Sequence, residues 1–446
     1  MTSENRITSN RAFILAIAGA AIGLGNIWRF PYVAGENGGS LFFLLYLVFV
    51  IVMGLPMMIA EIIIGRAGRA SPASSLRLLA INAGGHKQWS KVAWLGTLAA
   101  TLILSFYSVI AGWALYYLLG NSFGQFNYST VVESGLILDQ LLLSPSLVII
   151  FHTLFIVMTF AISGRAVSKG IERLNNVLMP LMYLILVLLV LYASGFSGFS
   201  QAVDYLFSIK VQAISGGMLI EAMGHAFFTL AVGGCCLMAY GAYMPDNQSV
   251  IKAVFIVAVL DILVAVMVGL ATFSVVFTEG VAPGSGPGLM FITLPVALVK
   301  MPFGSVILPL FFLLLVIATW TSSVNLAEPL VVMVTRLVEG NRSRGAMIAA
   351  GIVWLMGLVP ALAFNVWNDM EPLPGKNLFD VYTAFPTQVL LPVTGLFILI
   401  FSGYVLERKV LVLQLGLTGW SLHCWQYMIR YVSPVLLAII MINGLI

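Results

Sequence analysis

The sequence predicts an all-α polytopic membrane protein, and three observations carry that expectation. Of its 446 residues, 61% are hydrophobic and only 9% are charged, against ~25% charged in an ordinary soluble domain. Mean hydropathy is +1.05 and aromatics make up 12%. Apolar runs of ~20 residues recur along the chain, each able to cross ~30 Å of hydrocarbon as a helix. The net charge of +4 sits in the short connections between runs rather than on one surface, so the lipid bilayer is the expected partner and nucleic acid is not. Cys235, Cys236 and Cys424 offer neither a disulfide framework nor metal-ligand spacing.

Taken in order, the expected spans lie near 11–34, 39–65, 92–119, 147–163, 175–194, 215–244, 250–277, 305–335, 346–364, 383–404 and 429–445. That makes 11 transmembrane helices in a single domain over 1–446. The polar start, Met1 to Asn10, runs into the first span without a cleavage pattern, so it is expected to stay in the mature chain. Of the 21 Lys and Arg, all but Lys210, Lys300, Lys376 and the intraspan Arg29 fall on one side of this arrangement. The positive-inside rule then puts the N-terminus in the cytoplasm and the C-terminus outside, in a plasma (inner) membrane. Three outer connections are long, about 120–146, 278–304 and 365–382. The second runs from a helix-breaking Pro283–Gly288 stretch into the apolar Phe291–Pro295, a segment suited to dipping back as a lid.

Spans 1 and 6 each carry a polar, glycine-bearing interruption: Gly19-Ala20-Ala21-Ile22-Gly23-Leu24-Gly25-Asn26 and Phe228-Thr229-Leu230-Ala231-Val232-Gly233-Gly234. Two such breaks five spans apart mark an inverted repeat, with repeat one about 11–194, repeat two about 215–404, and an extra helix at about 429–445. A break frees carbonyls and N–H groups that lipid cannot satisfy but ions and a zwitterion can. Glycines alone would serve close helix packing; matched breaks that also carry Asn26 and Thr229 favour a binding site.

The run Arg11 to Gly68, with Gly23-Leu24-Gly25-Asn26-Ile27-Trp28-Arg29-Phe30-Pro31-Tyr32 and Glu36-Asn37-Gly38-Gly39, closely resembles the first two helices of neurotransmitter:sodium symporters. So do Gly224–Leu230, Phe291–Pro295 and Thr321-Ser322-Ser323. The resemblance implies a five-plus-five inverted fold with discontinuous helices 1 and 6, and two Na+ ions. Matched residue by residue, it implies a first sodium site of the Ala21 carbonyl, Asn26, Thr229 and Asp261, where a bacterial relative has Asn in place of Asp261. A second site combines the carbonyls of Gly19, Ile22 and Ala318 with the hydroxyls of Thr321 and Ser322. The alternative for those hydroxyls is back-bonding to their own helix.

A carboxylate among Val259, Leu260, Ile262 and Leu263 needs neutralising. Chloride-independent relatives keep an acid near this place; here Ala265 stands at its usual position, so Asp261 is expected to supply the charge and chloride is not expected to be needed. Proton antiport through Asp261 and a permanently ionised Asp261 are equal expectations. Monoamine carriers of the family have an acid at Gly23, and its replacement by glycine implies that the substrate's carboxylate meets bare N–H groups at a helix start. The implied substrate-binding residues are Ala20, Ala21, Gly23, Leu24, Gly25, Ile103, Tyr107, Phe228, Thr229, Ala231, Gly234, Ser322 and Leu326, with Tyr107 holding the carboxylate and Phe228 roofing the site. Ala231 and Gly234 imply a roomier pocket for a large aliphatic or aromatic side chain. Arg29 and Asp380, with Phe228, are the implied outer gate. His225 is expected as a satisfied packing residue, and Glu61 and Glu328 as acids bonding helix ends. Arg6 resembles the inner-gate arginine, but Arg336 occupies its acidic partner's place, so that gate is wired differently.

The resulting expectation is a sodium-coupled symporter importing a neutral, hydrophobic L-amino acid by alternating access. The alternatives are a carrier of another zwitterion such as taurine or betaine, or a channel or sensor. The scattered His86, His152, His225 and His423 and the absence of an HExxH motif argue against an enzyme. Oligomeric state is left open.

Overall fold

The computed structural model describes residues 6–208, 214–280 and 286–445; Lys210 and Pro283 to Ser285 lie outside them. Among the described residues the chain is helical, with one isolated bridge between Leu373 and Lys376. The first span is two pieces, α1 (Asn10–Ala21) and α2 (Gly25–Glu36), bent by 52° at their junction. There follow α3 (Ser40–Gly68), α4 (Lys87–Ser122), α5 (Pro145–Ser163) and α6 (Ser168–Ala193). Next come the short α7 (Gly216–Thr229) and α8 (Cys236–Tyr243), the long α9 (Val250–Thr278) and the short α10 (Thr293–Lys300). The chain closes with α11 (Gly304–Leu337), α12 (Arg342–Leu362), α13 (Leu378–Val405) and α14 (Gly419–Gly444).

Nine of these helices are long and apolar enough to cross a membrane, and the bent pair α1 and α2 makes a tenth span. The expected span at 215–244 is resolved into α7 and α8, neither of which reaches the ~20 residues a crossing needs. Among the described residues the broken first and sixth spans are as expected, and nine to ten helices meet the length of a crossing.

Local chemistry explains the ends. Ser9, Ser215, Ser249 and Asn341 each accept a hydrogen bond from a backbone N–H of the helix they begin, satisfying donors that would otherwise be stranded. The first break falls at 22–24, where Ile22 turns extended (φ −81°, ψ 111°) within a cluster of glycines. Because α1 stops at Ala21, the carbonyls of Gly19, Ala20 and Ala21 lose their partners within the helix. The second break, 230–235, contains three residues with left-handed backbone: Ala231 (φ 52°), Gly233 (φ 89°) and Cys235 (φ 61°). For Ala231 and Cys235 that conformation costs roughly 1–2 kcal/mol each, so the surroundings must hold it.

One support is Glu61 on α3, buried and accepting the Gly233 N–H at 2.5 Å. As expected, it bonds a helix end. The re-entrant expectation for Phe291–Pro295 also has a physical basis: Phe291 is buried against Trp28, Trp113, Tyr117 and Phe312, and Ile292 O accepts from Ser134 Oγ at 2.9 Å.

Candidate functional site

The two breaks face one another. Asn26, Thr229 and Asp261 are fully or almost fully buried and mutually bonded. Asn26 Nδ2 donates to Asp261 Oδ1 at 2.8 Å, and Thr229 Oγ1 lies 3.1 Å from Asp261 Oδ1 and 3.2 Å from Asn26 Oδ1. The sequence reading missed Tyr46 on α3, whose hydroxyl donates to Asp261 Oδ2 at 2.8 Å. A buried tyrosine in an apolar span carries no signal of its own; only the fold brings it opposite the acid. No ion pair reaches Asp261 among the described residues, and Ala265 one turn on adds no charge. The carboxylate is held by neutral donors alone, an arrangement a hard cation completes with oxygen ligands.

At the expected second sodium site, Thr321 Oγ1 donates back to Ile317 O and Ala318 O, both at 3.1 Å, the alternative weighed for it. Its lone pairs remain free to ligate. Ser322 Oγ approaches Ala20 O at 3.5 Å, tying α11 to the first break beside Gly19 and Ile22.

Beside these groups is a cavity of ≈ 40 Å³. Its wall contains all thirteen residues expected around the substrate, from Ala20 to Leu326, together with Ala100, Val232, Cys236 and Leu391. Tyr107 OH accepts the Leu24 N–H at 3.0 Å, so the hydroxyl and the N–H groups of the first break already converge there. Gly23 lets Tyr107 and Ser322 approach closely: a Cβ on it would lie 2.5 Å from Tyr107 OH and 3.0 Å from Ser322 Oγ, so the tyrosine hydroxyl would have to shift. The expected roominess is not present in this conformation. A Cβ at Gly234 would meet Ala100, Cys236 and Leu391 at 3.5–3.7 Å, so neighbours fill much of the released space. At roughly 10–15 Å³ per water, a large side chain needs the wall to yield.

Leu24, Gly25, Tyr107 and Phe228 also line a vestibule of ≈ 540 Å³ and so partition it from the cavity. Arg29 and Asp380, expected as the outer gate, both face this vestibule, with no direct ion pair between them among the described residues. Arg29 Nη2 instead bonds Glu221 Oε2 at 3.3 Å and its guanidinium sits 5.8 Å from the centre of the Phe228 ring. Glu221, two turns before Phe228 on α7, is the nearer acid while the vestibule is open.

The opposite end is latched. Arg6 bonds Asp246 at 2.9 Å, Arg69 shares that carboxylate, and Thr8 bonds Glu172. Arg336 lies on the Ser71 and Ser74 hydroxyls. Glu328 is not a helix-end acceptor as expected. It is a fully buried carboxylate gripped by Arg342 through two bonds of 2.8 and 2.6 Å and by Tyr243 OH at 2.5 Å. His225 departs from expectation as well: it packs among Phe30, Phe42 and Tyr46, yet neither ring nitrogen has a hydrogen-bond partner among the described residues.

Two broken helices meeting at buried oxygen ligands, with a vestibule on one side and latches on the other, define a membrane transporter built for alternating access. The sodium:neurotransmitter symporter family model matches residues 4–133 and 139–446, and the chain belongs to that family. It is 31% identical over 98% of its length to the sodium-dependent transporter YhdH of Bacillus subtilis, covering 96% of that protein, and 28% identical to a sodium-dependent transporter of Haemophilus influenzae over the full length of both. Among solved structures it is similar to MhsT in complex with L-phenylalanine, with a TM-score of 0.89 and 34% identity over 99% of each chain. The protein is thus a sodium-dependent transporter of a small molecule, with the fold of such symporters, and not an enzyme.

Proposed function

We propose that this chain imports a neutral, hydrophobic L-amino acid, large aliphatic or aromatic, by sodium symport that needs no chloride. The observation that carries the substrate class is the cavity wall: seventeen residues, none charged, with the only polar handles being Tyr107, Thr229, Ser322 and backbone at the Gly23 break. Such a wall can orient an α-carboxylate and solvate an apolar side chain, but it cannot pair a charged one. The L-phenylalanine bound by MhsT supports the same class. The substrate carboxylate would share the first sodium with Asn26, Thr229, Asp261 and the Ala21 carbonyl. A second ion would sit among Gly19, Ile22, Ala318, Thr321 and Ser322. Each ligand then favours the conformation that the other favours, which is the whole requirement for coupling. With the Lys and Arg bias read as cytoplasmic, the vestibule opens outward, in a plasma (inner) membrane.

Protein reconstituted in liposomes is expected to accumulate labelled phenylalanine or leucine against its gradient when sodium is high outside. Competition by all twenty amino acids is expected to rank large hydrophobic ones first. Passive equilibration would indicate a channel, and preference for taurine or betaine would remove the substrate assignment.

A further inference from the structure

One residue of α13, Leu391, belongs to the wall of the substrate cavity. It is buried, and it comes in against two glycines of the second break. A Cβ at Gly233 would lie 2.7 Å from Leu391 O and 3.4 Å from its Cα, and one at Gly234 would lie 3.7 Å from Leu391 Cδ2. A Cβ at Gly96 on α4 would lie 2.9 Å from both Gly233 O and Thr394 Cγ2, three residues beyond Leu391, so the break, α4 and α13 meet there. Side chains in place of these glycines would hold α13 away; without them Leu391 reaches the cavity.

The cavity of ≈ 40 Å³ must widen before a large side chain enters, and Leu391 is the wall residue fitted to give way. Its backbone is irregular. Phe385–Leu390 form a π-helical turn, which the Leu391 N–H closes on Pro386 O. Pro392, the next residue, has no N–H with which to continue the ladder. The Leu391 side chain turns about two bonds, whereas the glycines and alanines of the wall have nothing to withdraw. We propose that Leu391 is the adjustable end of the side-chain pocket: it packs on a leucine-sized guest, withdraws for an aromatic one, and so sets the largest side chain that is carried. The inference rests on the amino-acid reading above and adds to it the residue that fixes the size limit.

The test is competition by alanine, leucine, phenylalanine and tryptophan against uptake of labelled leucine by the full chain in liposomes, at saturating sodium. Leu391→Ala is expected to improve tryptophan relative to leucine about tenfold. Leu391→Phe is expected to weaken phenylalanine and tryptophan relative to alanine about tenfold, the scale on which a methylene or two discriminates guests of an apolar pocket. Half-saturating sodium is expected to stay at the wild-type value, since Leu391 is not among the expected ion ligands. Leu391→Met keeps the volume and adds a rotatable bond; it is expected to narrow the spread between leucine and tryptophan, and it carries the test should the other two variants not fold. An unchanged ranking of the four competitors in the folded variants, or an equal loss for all four, would overturn the size limit and leave Leu391 a packing residue. Wild-type liposomes that take up neither leucine nor phenylalanine with sodium would instead overturn the proposed function, so the two failures are separable.

Discussion

Asp261→Asn is expected to lower uptake at least about a hundredfold in chloride-free medium and to recover a large part of it when chloride is supplied. The carboxylate is fully buried and receives hydrogen bonds from Asn26, Thr229 and Tyr46 but no ion pair among the described residues. In the proposed cycle its charge balances the first sodium. Neutralising it leaves a cation in a low-dielectric site with one fewer counter-charge, a loss of several kcal/mol. The Tyr46 hydroxyl and the new amide N–H then face the same point as donors, and an anion there restores the balance. The measurement is initial uptake in gluconate against chloride medium for both proteins. Equal activity of the variant in both media, or a wild type that itself needs chloride, contradicts the charge argument.

The second large effect concerns the latched end. Arg342→Ala is expected to destabilise the folded protein by about 3–5 kcal/mol, because it strands the Glu328 carboxylate with only Tyr243 as partner. Glu328 has no exposed side-chain surface and Arg342 only 15%. Arg342 also donates to the carbonyls of Ser163 and Arg165, so the same change loosens the end of α5. Melting followed by size-exclusion in detergent is expected to show a marked fall for Arg342→Ala. Most of it should be recovered by Glu328→Gln added to Arg342→Ala, since the buried charge is then gone. An unaltered melting temperature for the single variant contradicts the ion pair's role.

The features most legible in the sequence are those with a local physical cause. Glycines beside Asn26 and Thr229 mark the two breaks because unwinding needs residues without side chains and frees backbone that something polar must meet. The thirteen residues expected around the substrate fall in one cavity wall because they sit at those breaks or at helical spacing on α4 and α11. What escaped the sequence was decided by which helices touch. Tyr46 reaches Asp261 from another span, Glu221 takes Arg29 from Asp380, and Ala100, Cys236 and Leu391 fill the space before Gly234. Glu328 finds Arg342 only because the chain folds back between α11 and α12. The break expected in the sixth span is where the structure divides it, between Thr229 and Cys236.

The central claim is that freed main-chain oxygens at the two breaks hold sodium against the substrate's carboxylate. It is tested most directly by equilibrium binding of labelled phenylalanine to the purified protein, titrated in sodium and in choline. Affinity is expected to fall about tenfold or more without sodium, and phenylalanine is expected to raise sodium affinity by the same factor, as reciprocal linkage demands. Phenylalanine binding of equal strength in sodium and choline would contradict the account.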